Sequence, residues 1–286
     1  MPEVREQAPH AATLGIQRRK VLKWLRIDKD LSRFRWLCMH AQHLRLQLRR
    51  TGDPVSARGV TITPATLRFF RELRRHNRKK WMDANRERYR SDVVQPLRAL
   101  LAALTPAALK LHAGFDTSGR TGVNFSRINR DTRFANDKTP YRTQMYLTFP
   151  DPAAADGGTT QLYVGISAET VTAGFRAYAM GSAKKSQLTQ MVQPRVASHP
   201  EWLVRQKKRL GRRYESYWYS TEKGEWTKHA GWPLGATEWK KLKGWVVRRK
   251  FPPGAAARPA FVAEISRLFR YVYSLFMFVS SPHWKF

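Results

Sequence analysis

Apolar positions recur along this chain in two rhythms, and the change between them divides it. From Thr63 onward the spacing is helical. Leu67, Phe70 and Leu73 share one face of a first helix, with Arg68, Arg71, Arg74 and Arg75 elsewhere. Thr63 followed by Pro64 predicts its start: an N-cap, then a proline where the missing N–H costs nothing. His76-Asn77 predicts its end, and a second helix runs through Trp81, Met82 and Tyr89. Pro96 predicts a kink or a new start, because it offers no N–H and crowds the preceding turn. Val93, Leu97, Leu100, Leu101 and Leu104 supply the next apolar stripe, and residues 113–122 read as a flexible loop.

Past that loop the rhythm becomes two. Tyr141, Thr143, Met145, Leu147 and Phe149 fall on one face of a strand, with Arg142, Gln144, Tyr146 and Thr148 on the other. Leu162, Val164 and Ile166 repeat the pattern, with Gln161, Tyr163 and Ser167 opposite. Val171, Ala173, Phe175 and Ala177 repeat it again, with Thr172, Arg176 and Tyr178 opposite. Three such runs joined by short connections predict an antiparallel meander with one greasy and one polar face. The polar face would present Arg142, Tyr146, Tyr163, Arg176 and Tyr178 together. Helices are expected from Gly181-Ser182 to about Val196, from His199 to Leu210, and from about Arg258 to Ser280. The last buries Phe261, Ile265, Leu268, Phe269, Val272 and Phe276. The fold class is therefore α+β: N-terminal helices, a central antiparallel sheet meander, and C-terminal helices packed on the sheet.

Residues 211–254 fit neither rhythm. They are aromatic and basic, with Tyr214, Tyr217, Trp218, Tyr219, Trp226, Trp232, Trp239 and Trp245 among many Lys and Arg. Such a mixture serves either as the core and rim of a small subdomain or as a stacking platform for unpaired bases. Aromatic side chains mostly pack, so the first reading is preferred; Lys240, Lys241, Lys243, Arg248, Arg249 and Lys250 speak for the platform.

Charge sharpens the picture. Lys and Arg number 53 against 21 acids, a net charge of +32. That excess favours polyanionic partners such as nucleic acid or an acidic membrane surface. Residues 1–58 carry 13 basic and 5 acidic side chains, 13 − 5 = +8, with apolar pieces too short for a core of their own. They are expected to form a basic, poorly ordered extension ahead of a single domain over 59–286. Cys38, His40 and His43 have metal-ligand character but want a fourth partner, so no metal site is expected and no cofactor is called for. One cysteine excludes an internal disulfide and fits a reducing compartment. Together with the lack of a signal-type leader, this predicts a cytoplasmic protein. The longest apolar run, Tyr271 to Val279, is far short of the roughly 20 residues that cross a bilayer.

The densest chemistry lies between Asn124 and Phe149. Arg127, Arg130, Arg133, Lys138 and Arg142 fall within sixteen positions together with Asp131 and Asp137. Three readings stand. The charges satisfy one another and latch a loop over the sheet. Surplus guanidinium groups and Lys138 grip phosphate, Arg176 adding to them from the sheet. Or Asp131 and Asp137 are catalytic carboxylates acting on a phosphorylated substrate or nucleic acid. Established catalytic spacings are absent: there is no GxSxG elbow and no HExxH. His229, four residues after Glu225, reads as a surface pair with it.

The motif RxxRDTRFxxDKTPYR, preceded by LRFFRELRRHNRKKWMDANRERY, resembles the family catalogued as domain of unknown function 2461, over about Thr63 to Pro282. The chain departs from the family pattern at His76-Asn77 and Trp81-Met82, where paired asparagines and Trp-Phe are usual. It departs again at Ala173-Gly174-Phe175, where a Gly-Gly pair precedes the aromatic. The resemblance implies an α+β domain and supplies no activity, so the function must come from the residues.

Overall fold

A computed structural model describes residues 62–133, 135–154, 159–178, 187–223 and 225–284. The described elements belong to one unit, Arg58–Phe286. The expectations for residues 1–58, for the Cys38, His40 and His43 group and for Gly181-Ser182 lie outside the described residues.

Helix α1 spans Pro64–Arg75 and buries Leu67, Phe69, Phe70 and Leu73. Thr63 holds the N-cap position in extended backbone, but its side chain makes no capping bond. Short helices α2 (Lys79–Ala84) and α3 (Arg86–Tyr89) follow, then a π-helical turn over Arg90–Val94 and the long α4, Gln95–Leu111. The predicted effect of Pro96 is visible here as a widened turn rather than a break. Pro96 has no N–H for the Asp92 carbonyl four residues back, and Thr66 Oγ1 donates to that oxygen instead at 2.5 Å.

The sheet has six strands: β1 (Gln144–Pro150), β2 (Thr160–Ser167), β3 (Val171–Tyr178), β4 (Glu215–Glu222), β5 (Glu225–Ala230) and β6 (Gly244–Phe251). Their order is β1-β2-β3-β6-β4-β5, and every pairing is antiparallel. The first three strands are the meander expected from period two. The other three correct the reading of residues 211–254. That stretch is half of the sheet, not a separate subdomain, and β6 returns to form the seam with β3. Its alternation is masked in the sequence because both faces carry aromatic side chains.

Between the two halves of the sheet lie α5 (Gln187–Ser198) and α6 (Pro200–Leu210), and α7 (Ala236–Lys241) precedes β6. The final helix α8, Phe261–Ser280, packs on β2, β3 and α4 and buries all six predicted apolar positions. One sheet face therefore carries the core: Leu147, Phe149, Leu162, Val164, Ile166, Ala173, Phe175, Trp245 and Val247 join the helices in one continuous cluster. No described helix is long and apolar enough to cross a membrane.

Candidate functional site

The central motif folds into a flap beside β1. Ser126 N–H donates to Tyr146 O at 3.0 Å and Thr148 N–H to Asn124 O at 2.8 Å, so residues 124–126 extend the sheet edge. The chain then leaves and returns as a hairpin. Arg130 N–H donates to Pro140 O and Arg142 N–H to Ile128 O, both at 2.8 Å. Two asparagines hold this excursion. Asn77 brackets the Tyr141 backbone, donating to its carbonyl at 2.8 Å and accepting from its N–H at 3.0 Å. Asn124 is fully buried. Its Nδ2 donates to Asp116 O at 2.6 Å and Thr148 O at 3.0 Å, and its Oδ1 accepts from Gly119 N–H at 2.8 Å.

At the flap tip the charges largely answer one another. Arg130, only 24% exposed in its side chain, donates to Asp137 and to Thr139 Oγ1. Asp137 also accepts from Thr139 N–H at 2.9 Å. The Thr139 amide, then Arg130 and the Thr139 hydroxyl, hold its carboxyl down at about 2. Arg133 meets Asp131 through two bonds, at 3.0 and 2.7 Å, which hold that carboxyl below its ordinary value. Lys138 Nζ donates to the carbonyls of Thr132 at 3.0 Å and Arg133 at 3.4 Å. Both carboxylates are thus ionised at neutral pH and committed to guanidinium groups, a poor setting for a general base, which works best with a pKa near the operating pH. Arg127 and Arg142 are exposed and form no ion pair among the described residues.

A second constellation lies on the sheet face turned away from the core. Cross-strand register places Gln144, Tyr146, Gln161, Tyr163, Thr172, Arg176 and Tyr178 on this face with Tyr217, Tyr219, Trp226, Lys228 and Arg248. The backbone makes room for the rings. Gly165, Gly174 and Gly244 sit on the same face, and a methyl at Gly244 would lie 2.5 Å from the Tyr178 ring. Tyr163 is 2% exposed yet stands outside the hydrophobic core. Its surroundings are Tyr146, at 5.9 Å between ring centroids, and the Arg176 guanidinium, 5.3 Å above its ring and 5.1 Å from that of Tyr146. Arg248 and Lys228 lie 4.9 and 4.2 Å from the Tyr217 ring. Tyr219 continues the row to Tyr178 and to Trp226, which is 55% exposed.

The charges on this face are mostly positive. Burial pushes the Tyr163 and Tyr217 hydroxyls well above the ordinary phenol value, so both remain neutral donors at physiological pH. Burial works against the Arg248 charge, but its neighbours, among them the bonded Glu215 carboxylate, outweigh it and raise its pKa. Glu215 is the one carboxylate that register places here among the described residues, and Arg248 and Lys250 bind it at 3.2 and 2.8 Å. Gln161 Oε1 accepts from Arg176 at 2.8 Å, and among the described residues no carboxylate forms an ion pair with Arg176.

The predicted site residues therefore divide. Arg130, Arg133, Lys138, Asp131 and Asp137 come together in the flap; Arg127 and Arg142 flank it; Arg176 stands apart on the sheet. Of the expected polar face, Tyr146, Tyr163, Arg176 and Tyr178 assemble, whereas Arg142 precedes β1 by two residues. Sequence reasoning named Tyr217, Tyr219 and Arg248 only within an undivided aromatic and basic stretch, left Lys228 unnamed, and did not place the four on this face. Their signal was alternation, Tyr217 with Tyr219 and Arg248 with Lys250, hidden by Trp218 and Arg249 between them. His229 corrects a smaller point. On a strand, residues four apart are about 13 Å distant, so it bonds Ser220 at 2.8 Å and Glu222 at 3.4 Å instead of Glu225.

The model of the family described as conserved hypothetical protein (DUF2461) matches residues 65–278. The chain belongs to this family. The match takes in α1, the flap, all six strands and nearly all of α8, so both constellations lie within the family domain. No curated protein matches the chain.

Proposed function

We propose that this protein recognises phosphate-bearing polyanions, and that single-stranded nucleic acid is the ligand its sheet face accommodates. The carrying observation is the row of tyrosines interleaved with Arg176, Arg248 and Lys228 on a face outside the hydrophobic core. Bases of any sequence stack on aromatic rings, while cations between the rings meet the backbone. From Tyr146 on β1 to Tyr219 on β4 the face spans four strand spacings, about 19 Å, room for several bases. The flap stands at the β1 edge, where Arg127 and Arg142 extend the positive surface, with Arg133 and Lys138 further along it.

Fluorescence anisotropy with short single- and double-stranded oligonucleotides, titrated with salt, tests this reading on the full chain. The single strand should bind more tightly than the duplex. Tyr217→Ala should cost about 1–3 kcal/mol, roughly the value of one stacked base. Arg127→Ala and Arg142→Ala should each flatten the salt dependence by about 0.7 in log–log slope, one phosphate apiece. Equal affinity for both forms together with an indifferent Tyr217→Ala would remove the stacking face from the account.

A second reading rests on the pairing of Arg130 with Asp137 and Thr139: the flap tip is a salt-bridge latch that closes the loop. Under it, Arg133→Ala and Lys138→Ala leave oligonucleotide affinity unchanged and alter only the flap.

A further inference from the structure

A third group of cations belongs to neither constellation. The C-terminal end of α6, the turn after it, β6 and α8 enclose a cleft of about 590 Å³. Five arginines are among the residues that line it: Arg209, Arg212, Arg213, Arg249 and Arg267. Gly211, with φ 62°, ends α6 in the left-handed region and starts the single 3-10 turn that carries Arg212 and Arg213. Arg249 alternates with Arg248 on β6, so adjacent arginines of one strand serve opposite faces of the sheet.

The charge here is not spent inside the protein. None of the five arginines meets a carboxylate within salt-bridge distance among the described residues. Arg209 donates to neutral acceptors: Gln206 Oε1 at 2.9 Å, Tyr271 O at 2.6 Å and Ser274 Oγ at 2.8 Å. These bonds fix its direction and leave its charge intact. Arg249 lies 4.7 Å over the Phe251 ring. The one acid in the lining, Glu264, is engaged at 3.1 Å by Arg258, which lies outside the cleft.

We propose that this cleft binds a compact anion carrying several phosphates. A volume of this size lies within the range of small-molecule sites, roughly 300–1,000 Å³. Five arginines around one cleft suit clustered phosphate oxygens, because each guanidinium is a planar fork of donors. A strand of nucleic acid would instead call for cations spaced along a track. Tyr214 and Tyr271 provide aromatic walls, so the anion is either a bare polyphosphate or the phosphate tail of a nucleotide.

The test is calorimetric titration of the full chain with inorganic tripolyphosphate and, separately, adenosine triphosphate, at about 150 mM salt to screen diffuse attraction. One saturable site is expected for tripolyphosphate. Arg213→Glu and Arg267→Glu should each weaken it at least about tenfold, as loss of a charge-assisted pair implies. Lys79→Glu with Lys80→Glu, at the exposed start of α2, should leave it unchanged. Tighter binding of the nucleotide identifies a nucleotide tail as the source, and equal binding identifies phosphate alone. Absence of a saturable site, or equal weakening by the α2 variant, overturns the proposal, because the overall charge of the chain then explains whatever binds.

Discussion

Gly174→Ala should cost this protein about 3 kcal/mol or more and lower its thermal midpoint by roughly 6–12 °C. The reason lies at the seam of the sheet. A methyl at Gly174 would come within 2.1 Å of Val247 O and 2.7 Å of Arg248 Cα, both backbone atoms of the paired strand. No rotamer change relieves such contacts; β3 and β6 must part. Their pairing joins β1-β2-β3 to β6-β4-β5, so the strain falls where the two halves of the sheet meet. Gly174 also faces Tyr163 and Arg248 in register, and the tyrosine row should loosen with it. Thermal unfolding followed by circular dichroism measures the effect, and a midpoint within about 2 °C of wild type would contradict it. The same geometry explains the departure at Ala173-Gly174. Ala173 points into the core, where its methyl is fully buried, while only the second position lacks room for a side chain.

The second large effect is expected at Asn124→Ala. This amide satisfies two carbonyls and one N–H from two segments: Asp116 and Gly119 in the loop before the flap, and Thr148 on β1. Truncation leaves those groups without partners in a buried site, at about 1–3 kcal/mol each where water does not replace the amide. A net loss of about 3 kcal/mol is the expected result by urea denaturation, with the flap root freed from β1. Asn124→Asp should not rescue it, since a carboxylate accepts from Gly119 but cannot donate to the two carbonyls. A loss below about 1 kcal/mol would mean that the loop closes without this residue.

What the sequence disclosed and what it concealed follow from the same physics. Helices α1 and α8 and strands β1 to β3 were legible because each buries one face, so Phe70, Ile265 or Val164 recurs at the period of its element. Strands β4 to β6 were not, because Trp218 and Trp245 fill the core side while Tyr217 and Tyr219 occupy the other. When both faces are aromatic, apolarity carries no period. The insertion of β6 between β3 and β4 depends on pairing across more than seventy residues, as at Val171 with Phe251, which no local pattern encodes. The flap was found from charge density alone. Its internal pairing was open in the sequence, since Arg130 reaches Asp137 only because the hairpin brings positions seven apart together. The arginine cleft gathers α6, β6 and α8, so no single stretch of sequence brings its residues together.

The central claim is that bases stack on the tyrosine row, and photocrosslinking tests it most directly. The full chain would be irradiated with a single-stranded oligonucleotide carrying 5-bromouracil, and the crosslinked peptides mapped by mass spectrometry. The account predicts crosslinks in peptides containing Tyr146, Tyr217 or Tyr219, lost in Tyr217→Ala at that peptide and reduced as salt rises. Crosslinks confined to residues 1–61 or to the arginine cleft, with the tyrosine peptides untouched, would contradict it.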